Sequence, residues 1–184
     1  MSKIRHWKYI HPQIALPKLK KIRRISGWVK FDEKYPYDTG KNQMDWNKLL
    51  GIKISLFGQH KESIMLGHRW NPEIKKAQLI PYTHLTGNND FDAFNEQLGL
   101  ERVGTKNAWI LPELERDFEL NQECHFDFGL SEGVESYFAQ IGDSPYETFD
   151  HDIGFYDGYK INGWMGGQRA AQKCFSIETK LTYE

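Results

Sequence analysis

"NKLLGIKISLFGQHKESIMLGHRW", residues 47–70, decides how this chain folds. Successive side chains of a strand point to opposite faces, so Ser63, Met65, Gly67 and Arg69 share one face and Ile64, Leu66, His68 and Trp70 the other. The second set reads as core, and the first faces something wetter. The next run, 77–85, places Ile80, Tyr82 and His84 on one face and Leu79, Pro81, Thr83 and Leu85 on the other. Asn71, Pro72 and Glu73 between the two runs carry turn chemistry. A hairpin there predicts that Arg69, Tyr82 and His84 converge on one polar surface.

Outward from this hairpin the same grammar recurs. Short apolar or alternating runs at 22–31, 50–57, 108–111, 123–130, 134–141, 158–165 and 175–182 are separated by Gly, Pro, Asn and Asp, and Ser131, Glu132 and Gly133 suggest a second hairpin. Such spacing predicts an all-β antiparallel sandwich. One helix fits 89–98, where Asp90 can cap, Phe91, Phe94 and Leu98 share a face and Gly99 stops it. One or two short helices are expected in all.

Composition agrees. Aromatic residues make up 14% of the 184, with 6 Trp, 9 Tyr and 11 Phe, and flat rings suit pleated faces. The length suits one domain spanning 1–184, with residues 1–20, which contain Pro12 and Pro17, read as a basic extended arm that Trp7 and Tyr9 would dock. The net charge of −1 conceals an asymmetry: nine Lys and Arg and no acid before residue 32, against thirteen acids and one base, Arg116, over 113–157. That predicts attraction between the two regions or recruitment of a charged partner. Nucleic acid is disfavoured, because the basic cluster has no recognised motif and the whole chain is not basic. No window approaches a membrane span and no apolar stretch follows the N-terminal charges, so a cytoplasmic protein is expected. In that compartment Cys124 and Cys174, which lack metal or redox spacing, read as buried free thiols.

A resemblance emerges from the order of motifs. "KLLG", "SIMLGHRW", "LIPYTH" and the late "GWMGGQRAA" before an alternating last strand resemble the jelly-roll, concanavalin-like β-sandwich of alginate and glucuronan lyases, and small bacterial and phage proteins with the same motif order. In those lyases a concave sheet binds an acidic polysaccharide, basic groups neutralise the uronate carboxylate, and a tyrosine or similar group takes the C5 proton. By resemblance Lys48 matches the motif lysine, Ser63 the serine and Tyr82 the first tyrosine. Met65 stands where the lyase strand has an arginine, and His84 where it has a second tyrosine. Losing the arginine removes a forked carboxylate partner, so the site looks degraded for catalysis.

The expected ligand-binding set is therefore Lys48, Ser63, Arg69, Tyr82 and His84, with Trp164 and Arg169 on one rim. Arg and Lys would meet phosphate or carboxylate, and Tyr would stack on a base or sugar. No cofactor or metal is implied: Asp150, His151, Asp152 and Asp157 read as a solvated loop rather than a calcium site. His125 and Asp127 fall on one strand face and could pair. Trp28, Trp46, Trp70 and Trp109 read as core. The leading expectation is a non-catalytic binder of a small anionic ligand, nucleotide or uronate-like, in the manner of a phage sponge for a cyclic nucleotide signal, and a homo-oligomer is compatible with it. The alternatives are a polysaccharide lyase or glycan-binding protein, and an inhibitor of a protein partner.

Overall fold

In the computed structural model, which describes residues 2–6, 21–53, 63–84, 96, 99–103, 108–131, 136–150, 158–164 and 175–184, the chain forms two antiparallel sheets. Its strands are β1 (Ser2–His6), β2 (Lys21–Ile22), β3 (Arg24–Phe31), β4 (Asn47–Lys53), β5 (Ser63–Asn71), β6 (Lys76–His84) and β7 (Glu101–Arg102). The chain continues through β8 (Ala108–Ile110), β9 (Arg116–Phe118), β10 (Glu123–Leu130), β11 (Ser136–Ile141), β12 (Glu147–Asp150), β13 (Gly158–Trp164) and β14 (Phe175–Tyr183). One sheet has the order β1-β14-β3-β10-β11-β12; the other runs β2-β13-β4-β5-β6-β8-β7, with β9 also paired to β6. This is the all-β sandwich that the sequence predicts.

The β5–β6 hairpin turns through residues 72–75. The Asn71 Oδ1 accepts a hydrogen bond from the Glu73 N–H at 3.1 Å, and Lys75 takes a positive φ of 57° to close the turn. The pairing runs from Asn71↔Lys76 to Ser63↔His84. Side-chain alternation then sorts the strands between two faces, but the face expected to be wetter is buried as well: Ser63 and Met65 are buried, and Arg69 alone of that set on β5 is partly exposed. Ile64, Leu66 and Trp70 join Leu79, Trp109, Phe126, Phe128, Tyr137 and Ile141 in one buried cluster between the sheets. Removing such side chains from water is the main drive to fold, at roughly 1.5–3 kcal/mol for each large apolar side chain.

His68 also points inward. Its Nδ1 lies 2.7 Å from the Tyr35 hydroxyl, while the Tyr37 hydroxyl accepts from Asn47 Nδ2 at 2.7 Å and from the Trp70 N–H at 3.1 Å. These bonds give the two phenols, the Asn47 amide and His68 Nδ1 partners within an apolar interior. Burial is the largest cause that pushes the Tyr37 phenol up to about 12, so it stays neutral there.

Several expectations shift in detail. The strand expected at 50–57 begins earlier, at Asn47, and is described to Lys53. The helix expected over 89–98 and the turn at 132–133 lie outside the described residues, apart from Glu96. The helices described in full are two single 3₁₀ turns, Gly40–Asn42 and Pro112–Leu114. Within the first twenty residues, Ser2–His6 pairs with β14. Cys124 is a buried free thiol, and burial raises its pKa; Cys174 lies outside the described residues.

The expected His125–Asp127 pair is replaced by another. Asp127 instead accepts two hydrogen bonds from the Arg24 guanidinium, at 2.9 and 2.5 Å, and a third from the Tyr146 hydroxyl at 2.6 Å. His125 is exposed. Arg24 and Asp127 link the basic start of the chain to its acidic middle, in the sense that the charge asymmetry predicts.

Candidate functional site

The face of the larger sheet turned away from the interior carries the candidate residues. Four cross-strand rungs cross β5 and β6: Ser63↔His84, Met65↔Tyr82, Gly67↔Ile80 and Arg69↔Gln78. Strand β8 extends two of them, placing Ala108 beside His84 and Ile110 beside Tyr82. Trp46, Met65, Ile80, Tyr82, Ala108 and Ile110 form a second buried cluster here, separate from the interior. Gly51, opposite Met65 on β4, keeps this surface tight: a Cβ at that position would come within 2.7 Å of Met65 Cγ and 2.5 Å of the Ile64 carbonyl oxygen.

Lys48 reaches this face because of a backbone irregularity. Its alternate neighbours Leu50 and Ile52 point into the interior, and a regular strand would send Lys48 with them. The pairing of β4 with β5 slips between Lys48 and Leu50, so Lys48 opposes Gly67 while Leu50 opposes Leu66. One extra residue reverses the facing of what precedes it. Lys48 Nζ therefore stands 4.1 Å above the centroid of the Tyr82 ring and donates a hydrogen bond of 2.9 Å to the Trp46 carbonyl.

The surroundings of Lys48 are unusual for a lysine. Its residue exposure is 9%, and among the described residues no carboxylate lies within ion-pair distance. Burial lowers its pKa from 10.5 to about 8, with Asp45 opposing from a longer range. Tyr82, 6% exposed, is pushed up to about 12, first by burial and then by Asp45. Its ring meets that of His84 edge-on at 5.1 Å, and the Ser63 Oγ lies 3.2 Å from His84 Nδ1. Lys48, Ser63, Tyr82 and His84 thus form one continuous constellation.

Arg69 shares the face but sits at its other end, four residues along β5 from Met65, a separation of roughly 13 Å at the strand rise of about 3.3 Å per residue. The expected convergence of Arg69 with Tyr82 and His84 is corrected accordingly: the alternation is right, but the distance along the strand separates them. Its guanidinium stacks 4.0 Å over Trp46, donates to Gln78 Oε1 at 2.7 Å, and meets both oxygens of Glu115 at 3.2 and 3.3 Å. Gln78 in turn donates to Glu115 and Asp117. Trp46, read as core and buried in this second cluster, is also the bridge between the two ends: its ring carries Arg69 and its carbonyl holds Lys48. Trp164 pairs with Lys48 through the backbone, its side chain lies outside the description, and Arg169 lies outside the described residues.

The architecture can be set beside solved structures. The alginate lyase AlyC3 aligns with probability 1.00 and a TM-score of 0.55, at 10% sequence identity, over 92% of this chain and 66% of that one. The fold is that of a polysaccharide-lyase-like β-sandwich. The chain spans just under two thirds of the lyase's length. No protein-family model matches the sequence, and no curated protein matches it.

Among the described residues no group of three His, Cys, Asp or Glu is placed to hold a metal ion. Of the loop 150–157, the backbone of Asp150 alone is described. No helix among the described residues is long and apolar enough to cross a membrane. Sequence reasoning missed Trp46, Gln78 and Glu115. A signal for Trp46 lay in its position two residues before Lys48, whereas Gln78 and Glu115 are joined only through the pairing of β6 with the short β9.

Proposed function

We propose that the outer face of the larger sheet binds an acidic saccharide of the uronate type and holds it without cleaving it. Lys48 would meet the carboxylate, and the polar groups of Ser63, Tyr82 and His84 around it would serve the sugar hydroxyls. The observation that carries this reading is the buried Lys48 ammonium, which has a carbonyl and an aromatic face as partners but, among the described residues, no carboxylate within ion-pair distance. Desolvating a cation costs several kcal/mol, and an incoming carboxylate or phosphate offsets that cost by completing the pair. The lyase-like fold supports the saccharide class.

What surrounds Lys48 supports binding without cleavage. Abstracting a proton next to a carboxylate requires a base near its working pKa and fixed positive charge for the resulting anion. Tyr82, held at about 12, keeps its proton at neutral pH. Met65 fills the central rung, where the family resemblance places an arginine, and Arg69 is already engaged by Glu115. A nucleotide's phosphate would also suit Lys48, but its base needs an open ring. Tyr82 has Lys48 over one face, and the lyase-like fold is what favours the saccharide.

The test is a calorimetric titration with uronate oligomers, neutral oligosaccharides of equal length and cyclic nucleotides, on the wild type and on Lys48→Met. The proposal expects heat from uronates alone, lost in the variant. Equal binding of neutral sugars, preferential binding of nucleotides, or undiminished uronate binding by Lys48→Met each contradicts it.

A further inference from the structure

Lys48 combines three features that bear on its reactivity as well as its charge. Its Nζ lies over the Tyr82 ring, its one hydrogen-bond acceptor among the described residues is the Trp46 carbonyl, and the cluster beside it is apolar, with Ile80 on its own rung and Met65 and Ile110 on the next. Neither the ring nor the carbonyl can take its proton, and the apolar surround disfavours the charged form. A lysine desolvated in this way is the kind of amine that attacks carbonyl carbon.

We infer that Lys48 is a reactive amine that forms a reversible imine with aldehyde-bearing ligands, of which the open-chain end of a reducing saccharide is the natural class. In the step, the nitrogen lone pair forms a bond to the carbonyl carbon and the carbonyl oxygen gains a proton. The resulting carbinolamine then loses its hydroxyl as water, leaving C=N. One water is released, and no oxidant or reductant is consumed until a trapping reagent is added. The Tyr82 ring lies under the nitrogen, and His84 meets that ring edge-on. The inference uses the same side chain as the proposed saccharide site and adds covalent carbonyl chemistry to it.

The exposed Lys34, Lys41 and Lys75 provide internal references. The full chain would be incubated with propanal and cyanoborohydride at pH 7.5, sampled over time and mapped by peptide mass spectrometry. With a pKa near 8 against an ordinary value near 10.4, Lys48 holds a far larger share of free amine, and alkylation on the order of tenfold faster than at the three references is expected. In Lys48→Arg that fast phase disappears while the references are unchanged. Labelling of Lys48 no faster than that of Lys34, Lys41 and Lys75 overturns the inference. Titrating the same preparation with uronate oligomers separates the two readings. Uronate binding with no fast labelling removes the imine alone, whereas fast labelling without uronate binding upholds the imine and removes the saccharide.

Discussion

The outer faces of the two sheets treat positive charge in opposite ways. On the smaller sheet, Arg24 is gripped by Asp127, which also accepts from Tyr146, and Lys30 meets Glu178 at 2.8 Å. On the larger sheet, Lys48 is more deeply buried than either and, among the described residues, has no carboxylate within ion-pair distance. Paired charges at a sheet surface are accounted for by the fold they brace. A buried, unpaired cation works against the fold, so its presence calls for a partner that arrives later. Arg69 makes the contrast within a single face, since one rung from Lys48 a cation is met by Glu115, just ahead of β9.

The largest expected effect breaks the paired side. Asp127→Ala leaves a partly buried guanidinium and a phenol without their shared acceptor. Urea denaturation should show a loss of about 2–3 kcal/mol, Arg24 being partly solvated already. A loss under half a kcal/mol would show that this cluster braces nothing.

Next comes Lys48→Met, which keeps the stem and removes the charge. Here the sign reverses: the variant should be more stable at pH 7, by about 2 kcal/mol, because a pKa held below its unfolded value means that folding is opposed by the charged form. Uronate affinity should fall at least tenfold in the same variant, as the loss of a charged hydrogen bond of about 1.5–3 kcal/mol implies.

The pH dependence sharpens the comparison. Lys48 has a folded pKa near 8, below the 10.5 of the unfolded chain, so the unfolded state binds more protons between those values. Its penalty is fully present below pH 8 and fades as pH rises towards 10.5. The stability gap between Lys48→Met and the wild type should therefore narrow between pH 8 and 10, measured by denaturant midpoints at each pH. A gap that stays constant would mean that Lys48 is not the group being relieved.

Smallest is Arg69→Lys, which keeps the charge but loses the forked contact and the flat stack on Trp46. Thermal denaturation should show a loss near 1 kcal/mol, with uronate binding changed less than twofold. A large loss of binding would move Arg69 into the ligand site.

The strand pattern was legible because period-2 alternation is strong wherever one face is buried. The run 123–130 is β10 to the residue, β5 runs one residue further at its end, and β6 is shifted by one residue at both ends. Strands β1, β7, β9 and β12 went unseen, being two to five residues long and polar enough to pass for loops. The face shared by Ser63, Tyr82 and His84 was also legible, since it needs only alternation and one turn. What placed Lys48 there was not: "KLLGIK" is apolar on both parities, so nothing in it marks where the extra residue falls. Asp127 was misjudged for a different reason. Its neighbour in sequence is His125, but its partner Arg24 is 103 residues away and adjacent only because β3 pairs with β10.

The most direct measurement follows the Lys48 side chain itself, through the ¹³Cε and ¹⁵Nζ shifts of lysine-labelled protein titrated with base in the absence and presence of a uronate oligomer. A midpoint near 8 that climbs by a unit or more when the oligomer binds is the predicted result. A midpoint near 10.5, unmoved by uronate, would contradict the claim that this face holds an unpaired cation for an anionic ligand.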